Sequence, residues 1–97
     1  MAERPAGARL LPWPSRDGGP AYLPAHGAHG PVAALADEIE AAQLATGAEV
    51  LRCARPLMAD PNATARELRF TACRLAECLT DALRIADSRG ARLTEQG

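Results

Sequence analysis

The chain has 97 residues, a formal net charge of −1 at pH 7 and an apolar fraction of 47%. This length accommodates one small domain, and the balance of apolar and charged residues is typical of a globular protein. No apolar run approaches the roughly 20 residues that cross a bilayer, which excludes a transmembrane helix, and the aliphatic runs are too short for a secretory signal peptide. Aromatic residues make up only 3% of the chain, which excludes the base-stacking surfaces that bind single-stranded nucleic acid.

Residues 1–30 are rich in proline and glycine, with a Leu-Pro-Trp-Pro run followed by Gly-Gly-Pro. Proline removes an amide donor and glycine is costly to order, so this composition disfavours both helix and central strand. We therefore predict a disordered, partly polyproline II arm. A second hypothesis stays open, in which Leu10, Leu11, Trp13 and Tyr22 fold back over the rest of the chain and complete a monomer.

The pattern of residues 31–55 predicts an amphipathic helix. Pro31 suits the first helical position, where its missing amide is no loss. Because proline disfavours helical geometry in the residue before it, the helix is expected to end just before Pro56. Apolar residues at steps of three and four form the predicted buried stripe, which consists of Val32, Leu35, Ile39, Ala42, Val50, Cys53 and Leu57.

A second amphipathic helix is predicted over residues 61–89. Two start signals compete: an Asp-Pro dipeptide, and a capping box in which Thr64 and Glu67 each bind the other's backbone amide. Gly90 is the expected stop, followed by a frayed tail at residues 91–97. The predicted buried stripe consists of Leu68, Ala72, Leu75, Leu79, Ala82, Leu83 and Ala86.

Together these elements predict an all-α fold, with an antiparallel two-helix hairpin over residues 31–90 behind the disordered arm. A hairpin has no third wall to cover its leucines, and small domains without disulfides or metals usually need a partner. The economical solution is a homodimer that forms a four-helix bundle. The pattern does not decide whether the two chains run parallel or antiparallel.

Some large apolar residues lie off the predicted stripes and are candidates for protein contacts. Leu44, Leu51 and Met58 recur at seven-residue spacing beside the stripe of the first helix. Phe70 lies off the stripe of the second helix in the same way. Trp13 between prolines is stiff and loses little entropy on docking, either on its own hairpin or on another protein. The interaction candidates are Leu10, Leu11, Trp13, Leu44, Leu51, Met58 and Phe70.

Residues with reactive side chains do not form a recognisable site in the sequence. His26 and His29 lack the further ligands that a structural metal needs. Cys73 and Cys78 fall five residues apart on a helix and cannot share one ion. We therefore predict no catalytic residues, no metal, no cofactor and no enzymatic activity. An odd number of cysteines without a secretory signal favours free thiols in the cytoplasm.

These observations predict a non-enzymatic helical interaction protein, adaptor or regulatory in role. Its partners would be a second copy of itself and another protein bound through the arm, with no membrane partner. The alternative is a small DNA-associated transcriptional regulator that uses paired Arg-bearing helix faces. Near-neutral charge and the interleaving of arginines with acids disfavour nucleic-acid binding.

Overall fold

A computed structural model describes residue 4 and residues 6–96 of the chain. Two long helices pack antiparallel, and a short β-hairpin near the start of the chain packs against them at their open end. The molecule is elongated, with principal extents of 53 × 24 × 24 Å. In chain order the elements are β1 (Arg9–Pro14), β2 (Pro20–Leu23), one 3₁₀ turn (Ala25–Gly27), α1 (Pro31–Ala59) and α2 (Ala65–Gln96).

The loop that joins β1 to β2 is fixed by short local hydrogen bonds. The amide of Ser15 donates to the carbonyl of Gly19 at 2.8 Å, and the amide of Gly18 donates to the carbonyl of Ser15 at 3.0 Å. Gly18 has φ of 88°, a left-handed conformation that glycine adopts without steric cost. The Asp17 carboxylate accepts from the Ser15 hydroxyl and from the Gly19 amide. These bonds reverse the chain and allow the strands to pair.

The prolines are tolerated because the sheet has only two strands and irregular pairing. Leu10 pairs with Tyr22 and Pro14 pairs with Pro20, with a register shift between Leu10 and Pro14. Within this shifted stretch Pro12 contributes no amide to the ladder, and in a two-stranded ribbon each strand has an open edge where a missing donor is harmless.

The sheet shows that the predicted all-α class is wrong, and that the predicted disordered arm is wrong where the strands form; residues 1–3 and 5 of that arm lie outside the described residues. Composition alone suggested that the Pro/Gly-rich segment has too few donors to form a sheet, whereas the turn chemistry at residues 15–19 supplies what a short hairpin needs. The four-helix bundle that belonged to the same prediction is not shown by the single chain.

The buried residues of the helices are mostly small, whereas the leucines of the predicted stripes are half-buried or exposed. Ala36 and Ala54 of α1 are buried, as is Ile85 of α2. A Cβ placed on Gly47 would lie 3.8 Å from Cβ of Cys78, so the helices approach closely there. Because small side chains permit close packing, the larger leucines are displaced to the outer faces. Leu79, for example, is 60% exposed.

Both helices extend beyond their predicted ends. α1 continues past Pro56 to Ala59, since a proline in the last turn removes only one helical hydrogen bond. α2 continues past Gly90 to Gln96, and the Thr94 hydroxyl donates to the Gly90 carbonyl at 3.0 Å. The glycine is therefore part of the helix and not its left-handed end.

Candidate functional site: an exposed apolar face of the helices

The three predicted contact residues of the N-terminal segment lie in β1, which packs on the helices. Leu10 and Leu11 are buried, and Trp13 is half-buried. Their burial within the chain matches the second hypothesis drawn from the sequence, in which this segment folds back over the helices.

Side chains of both helices bind the backbone of β1. The Ser88 hydroxyl donates to the carbonyl oxygen of Leu10 at 2.9 Å. Gln43 Nε2 and Arg84 Nη1 both donate to the carbonyl oxygen of Pro12, at 3.1 and 3.3 Å. Buried carbonyl groups require hydrogen-bond partners, so these three side chains hold the strand on the helices.

A buried carboxylate, that of Glu40, lies where β1 meets the two helices. The residue is only 1% exposed. Its oxygens lie 3.3 Å from Arg9 Nη2, 3.6 Å from Arg89 Nε and 3.8 Å from Arg92 Nη2. A buried ion is tolerated only where opposite charges replace its lost hydration. The three guanidinium groups provide those charges, and the cluster joins β1, α1 and α2.

Arg9 and Arg92 are each bound by further groups of the fold. Arg9 donates to Asp37 Oδ1 at 2.6 Å and to the Ala33 carbonyl at 3.3 Å, while Arg92 Nη1 donates to the Ser88 hydroxyl. Burial, with the neighbouring Arg9 cation adding to it, lowers the pKa of the Arg92 guanidinium. Arginine remains protonated through such a shift. We therefore assign this cluster to the stability of the fold.

Four leucines of the two helices line one open groove of about 340 Å³. Leu44 and Leu51 lie on its α1 side, and Leu75 and Leu79 lie on its α2 side. Leu44 and Leu51 are 40% and 43% exposed. Contiguous apolar surface of this kind commonly marks a site of protein contact.

Apolar residues extend from the groove along both helices in rows, at steps of three and four residues except for one step of seven between Leu51 and Met58, where Arg55 takes the intermediate position. Side chains at this spacing share one face of a helix, so the two rows form a single surface, named here the apolar face. The α1 row is Ala41, Leu44, Ala48, Leu51 and Met58, and the α2 row is Leu68, Ala72, Leu75, Leu79, Leu83 and Ala86. All of these residues are exposed except Leu75, which is half-buried.

Phe70, the remaining predicted contact residue, lies outside this face. It is 67% exposed and lines a second groove of about 370 Å³ together with Val50 and Leu57. The two grooves have no lining residue in common. The structure thus brings Leu44 and Leu51 together and separates Phe70 from them.

Three of the helix arginines pair with acids one turn away on the same helix. Because each pair compensates its own charge, these three arginines do not contribute to a continuous positive surface of the kind that a DNA-binding role requires. The pairs are Arg52 with Glu49, Arg74 with Glu77 and Arg84 with Asp81.

The cysteines and histidines lie apart from the apolar groove, with one exception. Cys78 lines the groove and is half-buried, whereas Cys53 and Cys73 are exposed, and all three are free thiols. His26 and His29 are exposed in the segment before α1. Within residue 4 and residues 6–96, no three His, Cys, Asp or Glu side chains come together as a metal-binding group.

The hydrophobic pattern missed the residues that hold the sheet to the helices. Neither Glu40 nor Ser88 is apolar. The pattern also missed Ile85, which is buried beside the leucine stripe of α2. A signal for Ile85 nevertheless exists, because Cys78, Ile85 and Arg92 recur at seven-residue spacing and so follow one line on the helix. No sequence signal identifies the carbonyl groups of β1 as the partners of these side chains.

In the part of the chain that the structure describes, no helix combines the length and the apolarity required to cross a bilayer. No protein-family model, curated protein or solved structure shows a significant match to the chain. The apolar face is therefore interpreted from its own geometry and chemistry.

Proposed function

We propose that the chain is a non-enzymatic interaction protein, adaptor or regulatory in role, that associates with itself and with other proteins through the apolar face. The observation that supports this proposal is the exposure of aligned leucines on both helices, while the buried apolar residues of α1 are all alanines. The N-terminal segment is occupied with the chain's own helices, whereas the leucines of the apolar face remain available to a partner.

The apolar face offers enough hydrophobic free energy for association. Five of its leucines are at least 39% exposed: Leu44, Leu51, Leu68, Leu79 and Leu83. Burying the exposed part of each yields roughly 1 kcal/mol, so two such faces yield about 10 kcal/mol. Association costs about 4–15 kcal/mol in lost translational and rotational freedom. The gain is of the same size as the cost, which supports reversible association.

The free thiols support a reducing location for this activity. Cys53 and Cys73 are exposed and unpaired, and exposed thiols persist in the cytoplasm because glutathione and thioredoxin keep them reduced. These thiols support a cytoplasmic location as part of the proposal.

Substitution of the exposed leucines tests the proposal. In the full-length chain, Leu44→Asp and Leu79→Asp should retain helicity by circular dichroism, because both side chains are exposed, and should weaken association in sedimentation velocity at least tenfold. Leu35→Asp is the matched control: Leu35 is 49% exposed on α1 but lies outside the apolar face, so association should not change.

Two results would contradict the proposal. One is a wild-type chain that sediments as a monomer at every concentration from low to high micromolar. The other is an associating chain in which Leu44→Asp and Leu79→Asp have no more effect than Leu35→Asp.

A further inference from the structure

The α1 row of the apolar face has a two-fold pattern of side-chain sizes centred on Thr46. Leu44 and Ala48 lie at equal distances on either side of Thr46, and so do Ala41 and Leu51. When a second α1 helix packs antiparallel about this centre, each leucine faces an alanine. Alternation of large and small side chains across an interface allows two helices to interdigitate without voids.

The charges at the ends of this row follow the same two-fold pattern. Asp37 and Arg55 are also equidistant from Thr46, about 27 Å apart along the helix. Arg9 binds one oxygen of Asp37, but the side chain is 68% exposed, which leaves its other oxygen accessible. Arg55 has no acidic side chain within ion-pair distance among the described residues. An antiparallel copy brings Arg55 to Asp37 at both ends of the row.

The α2 row has an independent two-fold pattern centred on Leu79. The same spacing of three and four residues extends in both directions from this leucine. The positions equidistant from Leu79 are Leu75 and Leu83, Ala72 and Ala86, and Leu68 and Gly90. When α2 packs antiparallel on a second α2 about Leu79, leucine therefore faces leucine and alanine faces alanine near the centre of the row. At its end, Leu68 faces Gly90.

The two centres lie at the same height of the helical hairpin. A Cβ placed on Gly47 would lie 3.8 Å from Cβ of Cys78, which sets these two residues side by side. Thr46 and Leu79 are the next residues along the two antiparallel helices in the same axial direction. One two-fold axis can therefore pass through both centres, as an isologous contact between identical chains requires.

We propose that two copies of the chain associate through the apolar face about a two-fold axis that is perpendicular to the helices at the level of Thr46 and Leu79. This inference rests on the proposed function and adds the occupant and its register. α1 packs antiparallel on α1 of the second copy, and α2 packs antiparallel on α2.

An alternative two-fold axis along the helices fits the charges less well. It would pack α1 of one copy on α2 of the other and place Arg55 against Leu68 and Ala72. A guanidinium group buried among apolar side chains without an acid is strongly disfavoured. The perpendicular axis is the solution that pairs this charge.

Cysteine cross-linking of the full-length chain tests the register, with the three native cysteines replaced by alanine and the fold checked by circular dichroism. Under mild oxidation with glutathione disulfide, Leu79→Cys should cross-link to itself, because this position lies on the axis and disulfides form only at short Cα separations. Leu75→Cys and Leu83→Cys should not cross-link alone but should cross-link when mixed.

A charge reversal tests the same register with the native cysteines in place. Arg55→Asp should weaken association about tenfold in sedimentation velocity, since it sets two carboxylates together at each end of the interface. Arg66→Asp is the control, because Arg66 is exposed but lies outside the apolar face, and it should leave association unchanged.

The outcomes separate the register from the proposed function. If the chain associates and Leu79→Asp weakens it, but Leu79→Cys does not cross-link to itself, the register is overturned and the proposed function stands. Self-cross-linking of Leu75→Cys would indicate parallel packing and would equally overturn the register. A chain that stays monomeric overturns both.

Discussion

At the scale of single residues, Glu40 has the least replaceable environment in the molecule. Its carboxylate is buried, and Arg9, Arg89 and Arg92 all lie within 4 Å of it. The pair with Arg9 lacks hydrogen-bond geometry, since Glu40 Oε2, which lies 3.3 Å from Arg9 Nη2, has no hydrogen-bond partner among the described residues. The contact is therefore held by charge and burial. Without the carboxylate, the cations of Arg9 and Arg92, whose side chains are 10% and 29% exposed, would repel each other with less compensation, whereas Arg89 is 51% exposed and remains hydrated.

Glu40→Gln should consequently destabilise the chain strongly. The substitution keeps the side-chain shape but removes the negative charge, and loss of one partner from a buried ion pair costs about 3–5 kcal/mol. The free energy of unfolding in urea measures this loss. Glu38→Gln is the control, because Glu38 is exposed on the same helix, and it should change stability by less than about 0.5 kcal/mol. Equal effects of the two substitutions would show that the cluster is not stabilising.

At the scale of elements, the start of α2 is set by a reciprocal capping box. The Glu67 amide donates to the Thr64 hydroxyl at 3.0 Å, and the Thr64 amide donates to Glu67 Oε1 at 2.9 Å. Of the two start signals predicted from the sequence, the capping box is therefore the one at which α2 begins. The hydrogen bond from the Thr64 backbone, followed by the one with its side chain, lowers the pKa of the Glu67 carboxyl group.

This lowered pKa predicts a pH-dependent difference between the wild-type chain and Glu67→Gln. A carboxyl group whose pKa is lower in the folded state contributes stability above its unfolded pKa, which is near 4.5, and loses it as the pH falls through the folded value. The wild type should be more stable than Glu67→Gln at neutral pH, and the difference should vanish in acid. Urea unfolding of both chains as a function of pH measures it. A difference that stays constant in acid would exclude this role for Glu67.

The same scale shows which elements a sequence can predict. Helical periodicity predicted both helices because it extends over many turns, and the capping box is a local signal. The end of α2 was not predictable from Gly90, since Ser88 and Arg92 bind groups of β1 and α1 on either side of it. Tertiary contacts carry the helix past a residue that would end it in isolation.

At the scale of the whole molecule, the β-hairpin and the helices form one packed unit. Leu11 is 6% exposed, and the carbonyls of its two neighbours in β1 accept hydrogen bonds from Gln43, Arg84 and Ser88. The N-terminal segment should therefore undock in the same transition in which the helices unfold.

Leu11→Ala tests whether the β-hairpin and the helices unfold as one unit. Truncation of a buried leucine costs about 2–5 kcal/mol, so the unfolding midpoint should fall markedly. Trp13 fluorescence and helical circular dichroism should then report the same transition, because Trp13 lies in the docked strand. A midpoint equal to that of the wild type, or a fluorescence change well before the loss of helicity, would show that the segment docks independently.

The candidate site was partly visible in the sequence. The alignment of Leu44, Leu51 and Met58 predicted a surface beside the main stripe, and the structure leaves all three exposed. The contribution of Leu79 and Leu83 was not predicted, because hydrophobicity assigns large side chains to the seam. Only the packed structure shows that alanines of α1 and Ile85 of α2 are buried while these leucines are exposed.

The docking of β1 also affects whether a further strand can pair with the edge of the sheet. An incoming strand would need amide donors and free carbonyl acceptors along its neighbour, and unprotected strand edges of this kind lead to aggregation. Pro12 and Pro14 supply no amide, and the carbonyls of Leu10 and Pro12 already accept from helix side chains. The prolines that make this segment look unstructured thus protect the edge of β1 from pairing with a further strand.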